Sequence, residues 1–134
     1  MVEVKAVSVR VLKSYQDLEV WQVAMDVAEQ CYNLTATFPK EELFGLTMQI
    51  RRAAASVAAN IAEGYGRESR REYIQFLRIA QGSLKELETY LLLSLRIGIT
   101  MEANVSPILA DCERVGKMRH RLIRSLQNTS PKRT

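Results

Sequence analysis

Apolar side chains recur every three or four positions through most of this sequence, and that spacing constrains the fold more than any other feature. The pattern runs over about residues 16–37 and 70–97. It also occurs in the stretch between these two segments and in the stretch that follows residue 98. This is the period of an amphipathic α-helix. Four such helices with short connections predict an all-α protein, an antiparallel up-down-up-down four-helix bundle.

Helix start and stop signals separate these segments. Pro39, followed by two glutamates, is typical of a helix start, and the two glycines of EGYG end that helix. Ser69 with Glu72 predicts a capping box at the start of the third helix. Gly98 predicts its end, and Thr100 predicts the cap of the fourth helix. Pro107 leaves open a later start, near Ser106.

The bundle is expected to cover residues 15–127, with different behaviour at both ends of the chain. Residues 1–14 alternate valine with polar residues, which is the period of a strand. A lone strand has no partner in a bundle, so three interpretations stay open: a disordered arm, which we favour, a strand paired with another copy, or an artefact of the assigned start. Residues 128–134 are expected to form a basic disordered tail.

Composition excludes several classes of protein. Apolar residues make up 47% and charged residues 25% of the 134, as in soluble globular proteins. We expect no membrane span, no secretory leader and a cytoplasmic location. Cys31 and Cys112 are too few for a disulfide scaffold, so we expect them to be buried thiols.

The second predicted helix is apolar on two sides. One stripe, from Leu43 to Ile61, is expected to face the core. A second stripe lies about 120° away and consists of Phe44, Ala55, Ala58 and Ala62. A solitary bundle would leave this second stripe uncovered, and alanines allow a neighbouring helix to approach closely.

The third helix has the same excess, because consecutive leucines at 91–93 must point to different sides. Apolar surface beyond the core indicates a protein interface, and we interpret it as self-association. The predicted interface residues are Ala55, Ala58, Ala62, Ile74, Leu92 and Leu93. The predicted polar residues of the interface are Arg52, Asn60 and Glu63. Arg52 and Glu63 are either solvated or contact Glu86 or Glu88 of a neighbouring copy.

No motif indicates catalysis. His120 is the only histidine and lies in a basic run. The Glu-x-x-His motif of bundle metal sites and a Walker-type phosphate loop are both missing. We therefore expect a protein that is not an enzyme and holds no metal or cofactor.

Positive charge gathers near the end of the sequence. Residues 1–100 contain 12 basic and 12 acidic residues, whereas residues 101–134 contain seven and three, which gives the whole net charge of +4. One row on the fourth helix suits phosphate groups, with further charge at the second turn; the candidates are Arg114, Lys117, Arg121 and Arg124, then Arg67, Arg70 and Arg71. A merely solvated face is the alternative.

Four stretches resemble the family of 23S ribosomal RNA intervening-sequence proteins of bacteria. They are YQDLEVWQVAMDVAEQCYNLTATFP, FGLTMQIRRAAASVAANIAEGYGRES, EYIQFLRIAQGSLKELETYLLL and RVGKMRHRLIRSL. The resemblance implies a four-helix bundle and a ring-shaped homopentamer. It also implies similarity to the accessory protein of diversity-generating retroelements, a basic pentamer that partners a reverse transcriptase and nucleic acid. Two positions depart from the family pattern: Ala58, where proline is frequent, and Arg119, where leucine is usual.

Two functions are therefore predicted. The first is an oligomeric accessory protein that binds structured RNA, or DNA, through its basic surfaces without a membrane role. The alternative is a homo-oligomeric scaffold that binds a protein partner without nucleic acid.

In the apolar stripe of the last helix, Arg119 must extend to solvent, find an acid, or mark an exposed surface.

Overall fold

Four α-helices make up the protein in the computed structural model, which describes residues 13–128. Contacts join each helix to the next, and α4 also contacts α1, so the four helices close a bundle as predicted. No strand occurs within the described range, and the predicted arm (1–14) and tail (128–134) lie almost entirely outside it. The helix bounds are α1 Glu19–Thr35, α2 Met48–Tyr65, α3 Arg70–Arg96 and α4 Glu102–Asn128.

The predicted Ser69 cap at the start of α3 and the predicted Gly98 stop at its end are confirmed. The hydroxyl of Ser69 accepts a hydrogen bond of 3.1 Å from the amide of Glu72, which satisfies one of the free donors of the first turn. At the other end, Gly98 adopts φ +84°. Glycine reaches this left-handed conformation without strain, so the chain reverses there.

The start of α2 differs from the prediction. Pro39 is followed by a 3-10 turn at Lys40–Glu42 and a wide π-helical turn at Leu43–Thr47, and α2 begins only at Met48. Within the wide turn Gly45 is non-helical. A Cβ added at Gly45 would lie 2.8 Å from the Glu42 carboxylate. The same carboxylate accepts a 3.1 Å hydrogen bond from the Leu46 amide. This break turns Leu43 outward, so its expected place in the core is wrong.

The start of α4 also corrects the sequence analysis. The helix begins at Glu102 and Pro107 lies inside it, so neither a Thr100 cap nor a start near Ser106 is right. Ile99 packs against the core directly after the turn and carries Thr100 inward with it. The Thr100 hydroxyl is consequently buried, with no hydrogen-bond partner in the described chain.

The core contains both cysteines, as predicted. Cys31 of α1 and Cys112 of α4 are fully buried and unbridged. Burial raises the pKa of the Cys31 thiol to about 12, and raises the pKa of Cys112 as well, with the neighbouring Cys31 adding to the effect. Both thiols therefore stay protonated at neutral pH and behave as small apolar side chains.

Candidate nucleic-acid interface and apolar surfaces

The topology of the bundle places the arginines of the second turn and of the end of α4 at one end, which we call the basic end: Arg67, Arg70, Arg71, Arg121 and Arg124. The end of α2, the start of α3 and the end of α4 all lie there. A direct contact shows this arrangement, because Arg70 Nη1 donates a 3.2 Å hydrogen bond to the main-chain carbonyl of Leu126. A cation beside the carbonyls of the last helical turn is favourable. Arg70 therefore joins α3 to α4, which is a structural contact rather than a free charge.

Arg67, in the turn between α2 and α3, is also engaged. It forms a 2.6 Å ion pair with Glu63, and its guanidinium lies 4.7 Å from the centre of the Phe76 ring. Arg71, by contrast, is exposed and makes no ion pair within the described range. Of the three arginines predicted at this turn, Arg71 is the one whose side chain has neither an ion pair nor a hydrogen bond in the described chain.

The predicted row on α4 divides into two halves. Arg114 lies 3.7 Å from Asp111, and Lys117 lies 3.5 Å from Glu113, so carboxylates offset part of their charge. The other two members, Arg121 and Arg124, are exposed and form no ion pair with residues 13–128. The uncompensated half of the row is thus the half nearer the basic end of the bundle.

A groove of about 470 Å³ runs between α3 and α4. Arg119 lines this groove, half-buried, and its Nε atom is buried without a hydrogen-bond partner in the described chain. Among residues 13–128 no acidic side chain pairs with Arg119, so the described chain does not provide the acid that was one of its three predicted outcomes. Gln81 of α3 lines the same groove, and its Oε1 atom is likewise buried and unpartnered. The sequence pattern did not single out Gln81, because a lone glutamine on a helix is uninformative.

Large apolar side chains remain exposed on two surfaces of the chain. A groove of about 620 Å³ between α1 and α2 is lined largely by aromatic side chains and alanines, Ala55 and Ala62 among them. Phe44 protrudes from the wide turn before α2, with 81% of its surface exposed. On α3, Leu92 and Leu93 are both exposed and line a further hollow. These surfaces include five of the seven residues predicted on the second stripe of α2 and on α3: Phe44, Ala55, Ala62, Leu92 and Leu93.

Two predicted interface residues are placed differently. Ala58 was expected on the outward stripe, but it is 3% exposed. It lies only about 60° around the helix from the buried Ile61, so its expected place on the outward stripe is wrong. Ala58 forms part of the wall of the α1–α2 groove. Ile74 is half-buried and packs against the core of its own chain.

The predicted polar interface residues have partners within the chain or face solvent. Asn60 Nδ2 donates to the Ser56 carbonyl at 2.9 Å and to the Ser56 hydroxyl at 3.0 Å. That hydroxyl is 2.8 Å from the hydroxyl of Ser83 on α3. Glu63 pairs with Arg67, as described above, and Arg52 is exposed. Their contact with another copy stays a prediction.

His120 is exposed, as expected from its basic surroundings. Over residues 13–128 no cluster of three or more His, Cys, Asp or Glu side chains could hold a metal ion. Within the same range no helix is long and apolar enough to cross a bilayer.

These features define a small four-helix-bundle protein with a basic end and exposed apolar grooves. The family model of the 23S rRNA-intervening sequence protein matches residues 16–121, and the chain belongs to that family, which confirms the resemblance. Among solved structures, the chain is similar to a protein of unknown function from the S23 ribosomal protein family of Bacteroides thetaiotaomicron. The two are 27% identical with a TM-score of 0.72, over 78% of this chain and 97% of the other. No curated protein matches the chain.

Proposed function

We propose that this protein is a homo-oligomeric accessory protein that binds structured RNA through its basic end and performs no catalysis. Copies associate through the exposed apolar surfaces of the bundle. The ring-shaped pentamer implied by the family resemblance is the assembly we favour. Each copy then presents its basic end to the phosphate backbone, and the repetition multiplies the positive field.

The observation that supports RNA binding most directly is the presence of three exposed arginines that form no ion pair in the described chain. Arg71, Arg121 and Arg124 lie near the same end of the bundle and lack ion pairs within the described chain. Exposed cations of this kind bind phosphates by releasing counterions, which makes affinity steeply salt-dependent. Because few exposed aromatic side chains accompany them, we expect contact with the backbone rather than sequence readout.

Self-association is supported by the size and position of the exposed apolar surface. The α1–α2 groove and the Leu92–Leu93 patch of α3 belong to different helices. A contact between two different surfaces is head-to-tail, and repetition of such a contact closes a ring when the rotation allows it. The same surfaces would suit a scaffold that binds only proteins, which is the alternative function.

RNA binding can be tested with matched charge reversals. Affinity for a hairpin RNA is measured at two salt concentrations for wild type and for Arg121→Glu and Arg124→Glu. We expect each variant to bind more weakly and to reduce the salt slope by about one per lost phosphate contact. Lys40→Glu changes the net charge equally on an exposed turn at the other end of the bundle, and should bind as wild type does.

Two results would contradict the proposal. One is the absence of RNA binding by wild type at low salt, which would favour the protein scaffold instead. The other is equal weakening by Lys40→Glu, since net charge alone would then account for the affinity.

A further inference from the structure

Two helices present apolar stripes to solvent, and each stripe contains a single charged residue. The α3 stripe falls within an arc of about 40°, and its members are all exposed: Ile79, Glu86, Leu93 and Ile97. On α2, two hollows that border α1 share Tyr32 and Ala55 and so form one continuous surface. The α2 stripe along this surface consists of Met48, Arg52, Ala55, Ala59 and Ala62. One stripe therefore carries a lone anion and the other a lone cation.

Contacts within the chain leave Arg52 and Glu86 as the charges available for pairing. Glu88 lies 3.1 Å from Lys85, on the flank of α3 that borders α4. Glu63 pairs at 2.6 Å with the arginine of the following turn. Arg52 and Glu86 are both exposed and form no ion pair with residues 13–128. Opposite charges on two apolar surfaces favour one arrangement of those surfaces over others.

Arg52 and Glu86 also lie at nearly the same height along the bundle. The Ser56 and Ser83 hydroxyls are 2.8 Å apart and mark a level that α2 and α3 share. Arg52 precedes Ser56 by four residues, and Glu86 follows Ser83 by three. Because the two helices run in opposite directions, both displacements point to the same end, and they amount to about 6.0 Å and 4.5 Å.

Equal height matters because a ring of copies preserves it. Rotation about an axis parallel to the bundle moves no residue along that axis. A residue of one copy therefore contacts residues of the next copy at about its own height. Arg52 and Glu86 satisfy this condition. Ala59 and Ile79 satisfy it as well, since they lie three and four residues beyond the same serines, toward the other end.

We propose that the α3 stripe of one copy packs antiparallel on the α2 stripe of the next copy, with Arg52 paired to Glu86 across the contact. Ile79 then packs on the small side chain of Ala59, and Leu93 lies near the exposed ring of Phe44. The ion pair sets the register, while the apolar side chains supply most of the association energy. This inference rests on the proposed self-association and deepens it, because it assigns the two surfaces and their register.

Charge reversal tests the ion pair. Arg52→Glu and Glu86→Arg each place like charges opposite one another, so each should raise the Kd of self-association at least about ten-fold. The double variant Arg52→Glu/Glu86→Arg restores opposite charges and should recover the wild-type mass in light scattering. Arg114→Glu makes the same charge change on an exposed position of α4, outside both stripes, and should assemble as wild type does.

Disulfide cross-linking tests the register. Under oxidation, Ala59→Cys/Ile79→Cys should give covalent multimers on a denaturing gel. Ala59→Cys/Leu93→Cys is the control, because these two positions differ in height by about 20 Å and should give none. The native thiols of Cys31 and Cys112 are buried and should not contribute. Multimers from the control pair alone would overturn the antiparallel register.

The inference can fail while the proposed function stands. If wild type assembles but both reversals keep its mass, Arg52 and Glu86 are not partners between copies. If the reversals lower the melting temperature without changing the mass, the two residues pair within one chain, which also overturns the inference. If wild type is a monomer at every concentration, the proposed self-association fails as well.

Discussion

The guanidinium of Arg70, in the first turn of α3, donates a 3.2 Å hydrogen bond to the main-chain carbonyl of Leu126, near the end of α4. The contact spans 56 positions of sequence and brings two basic segments to one end of the bundle. It also separates the roles of neighbouring arginines, since the adjacent Arg71 is exposed and lacks an ion pair in the described chain.

We therefore expect opposite phenotypes for two adjacent substitutions. Arg70→Met should lower the free energy of unfolding by about 1 kcal/mol, because the α4 carbonyl loses a charged donor. Arg71→Met should leave stability within about 0.5 kcal/mol of wild type and weaken RNA binding instead. Urea unfolding and hairpin binding measure the two effects. Equal stability losses would contradict the distinction between them.

Two glycines predict opposite effects on stability. At Gly64, near the end of α2, a Cβ would lie 2.9 Å from the Phe76 Cβ on α3. Gly64→Ala should therefore destabilise the bundle by about 1–3 kcal/mol through overpacking. Gly82 lies inside α3 with nothing within 4 Å of an added Cβ. Gly82→Ala should raise the free energy of unfolding by about 0.5–1 kcal/mol. A lower free energy of unfolding would show that the space around Gly82 is not open.

The buried thiols predict a loss of stability at high pH. Cys31 ionises near pH 9 when the chain is unfolded, but its pKa is raised to about 12 in the folded state. The neutral thiol therefore favours folding below pH 9, and this contribution is lost between about pH 9 and 12. The slope is about 1.4 kcal/mol per pH unit for one thiol. Urea unfolding at pH 8 and 10.5 should show a smaller decline for Cys31→Ala than for wild type; an equal decline would contradict the buried assignment.

Assembly is testable with three alanine-to-glutamate variants. Ala55 is exposed in the α1–α2 groove, so Ala55→Glu should reduce the solution mass and leave helicity unchanged. Ala110→Glu, at an exposed position of α4, is the control and should assemble as wild type does. Ala58→Glu places a charge in a buried position and should unfold the chain. Light scattering and circular dichroism separate these outcomes, and an unchanged mass for Ala55→Glu would remove this groove from the interface.

The helical period and the local caps were enough to predict the fold. Ser69 and Gly98 act on their own neighbours along the chain, so their roles are visible in the sequence. The start of α2 was not predictable in the same way. Pro39 is a good helix start, but Gly45 and the Glu42 carboxylate delay the helix. That competition depends on a side chain closing over the backbone, which the apolar pattern does not record.

The candidate site was predicted in outline only. The row on α4 follows from spacing within one helix. Which of its charges are compensated depends on Asp111 and Glu113, whose rotamers the sequence does not specify. That Arg119 and Gln81 line one groove depends on the relative placement of α3 and α4. Spacing within a helix carries no information about that placement.

Polar side chains fix the position of α3 along α2. Alanines give α2 a nearly smooth surface, along which a neighbouring helix could slide. The linked side chains of Asn60, Ser56 and Ser83 interrupt this smoothness, with 3.0 Å and 2.8 Å between successive polar atoms. A slip of one turn, about 5.4 Å, would separate the Ser56 and Ser83 hydroxyls and leave them between the helices without this hydrogen bond. The three hydrogen-bonded groups therefore allow only one position of α3 along the axis of α2.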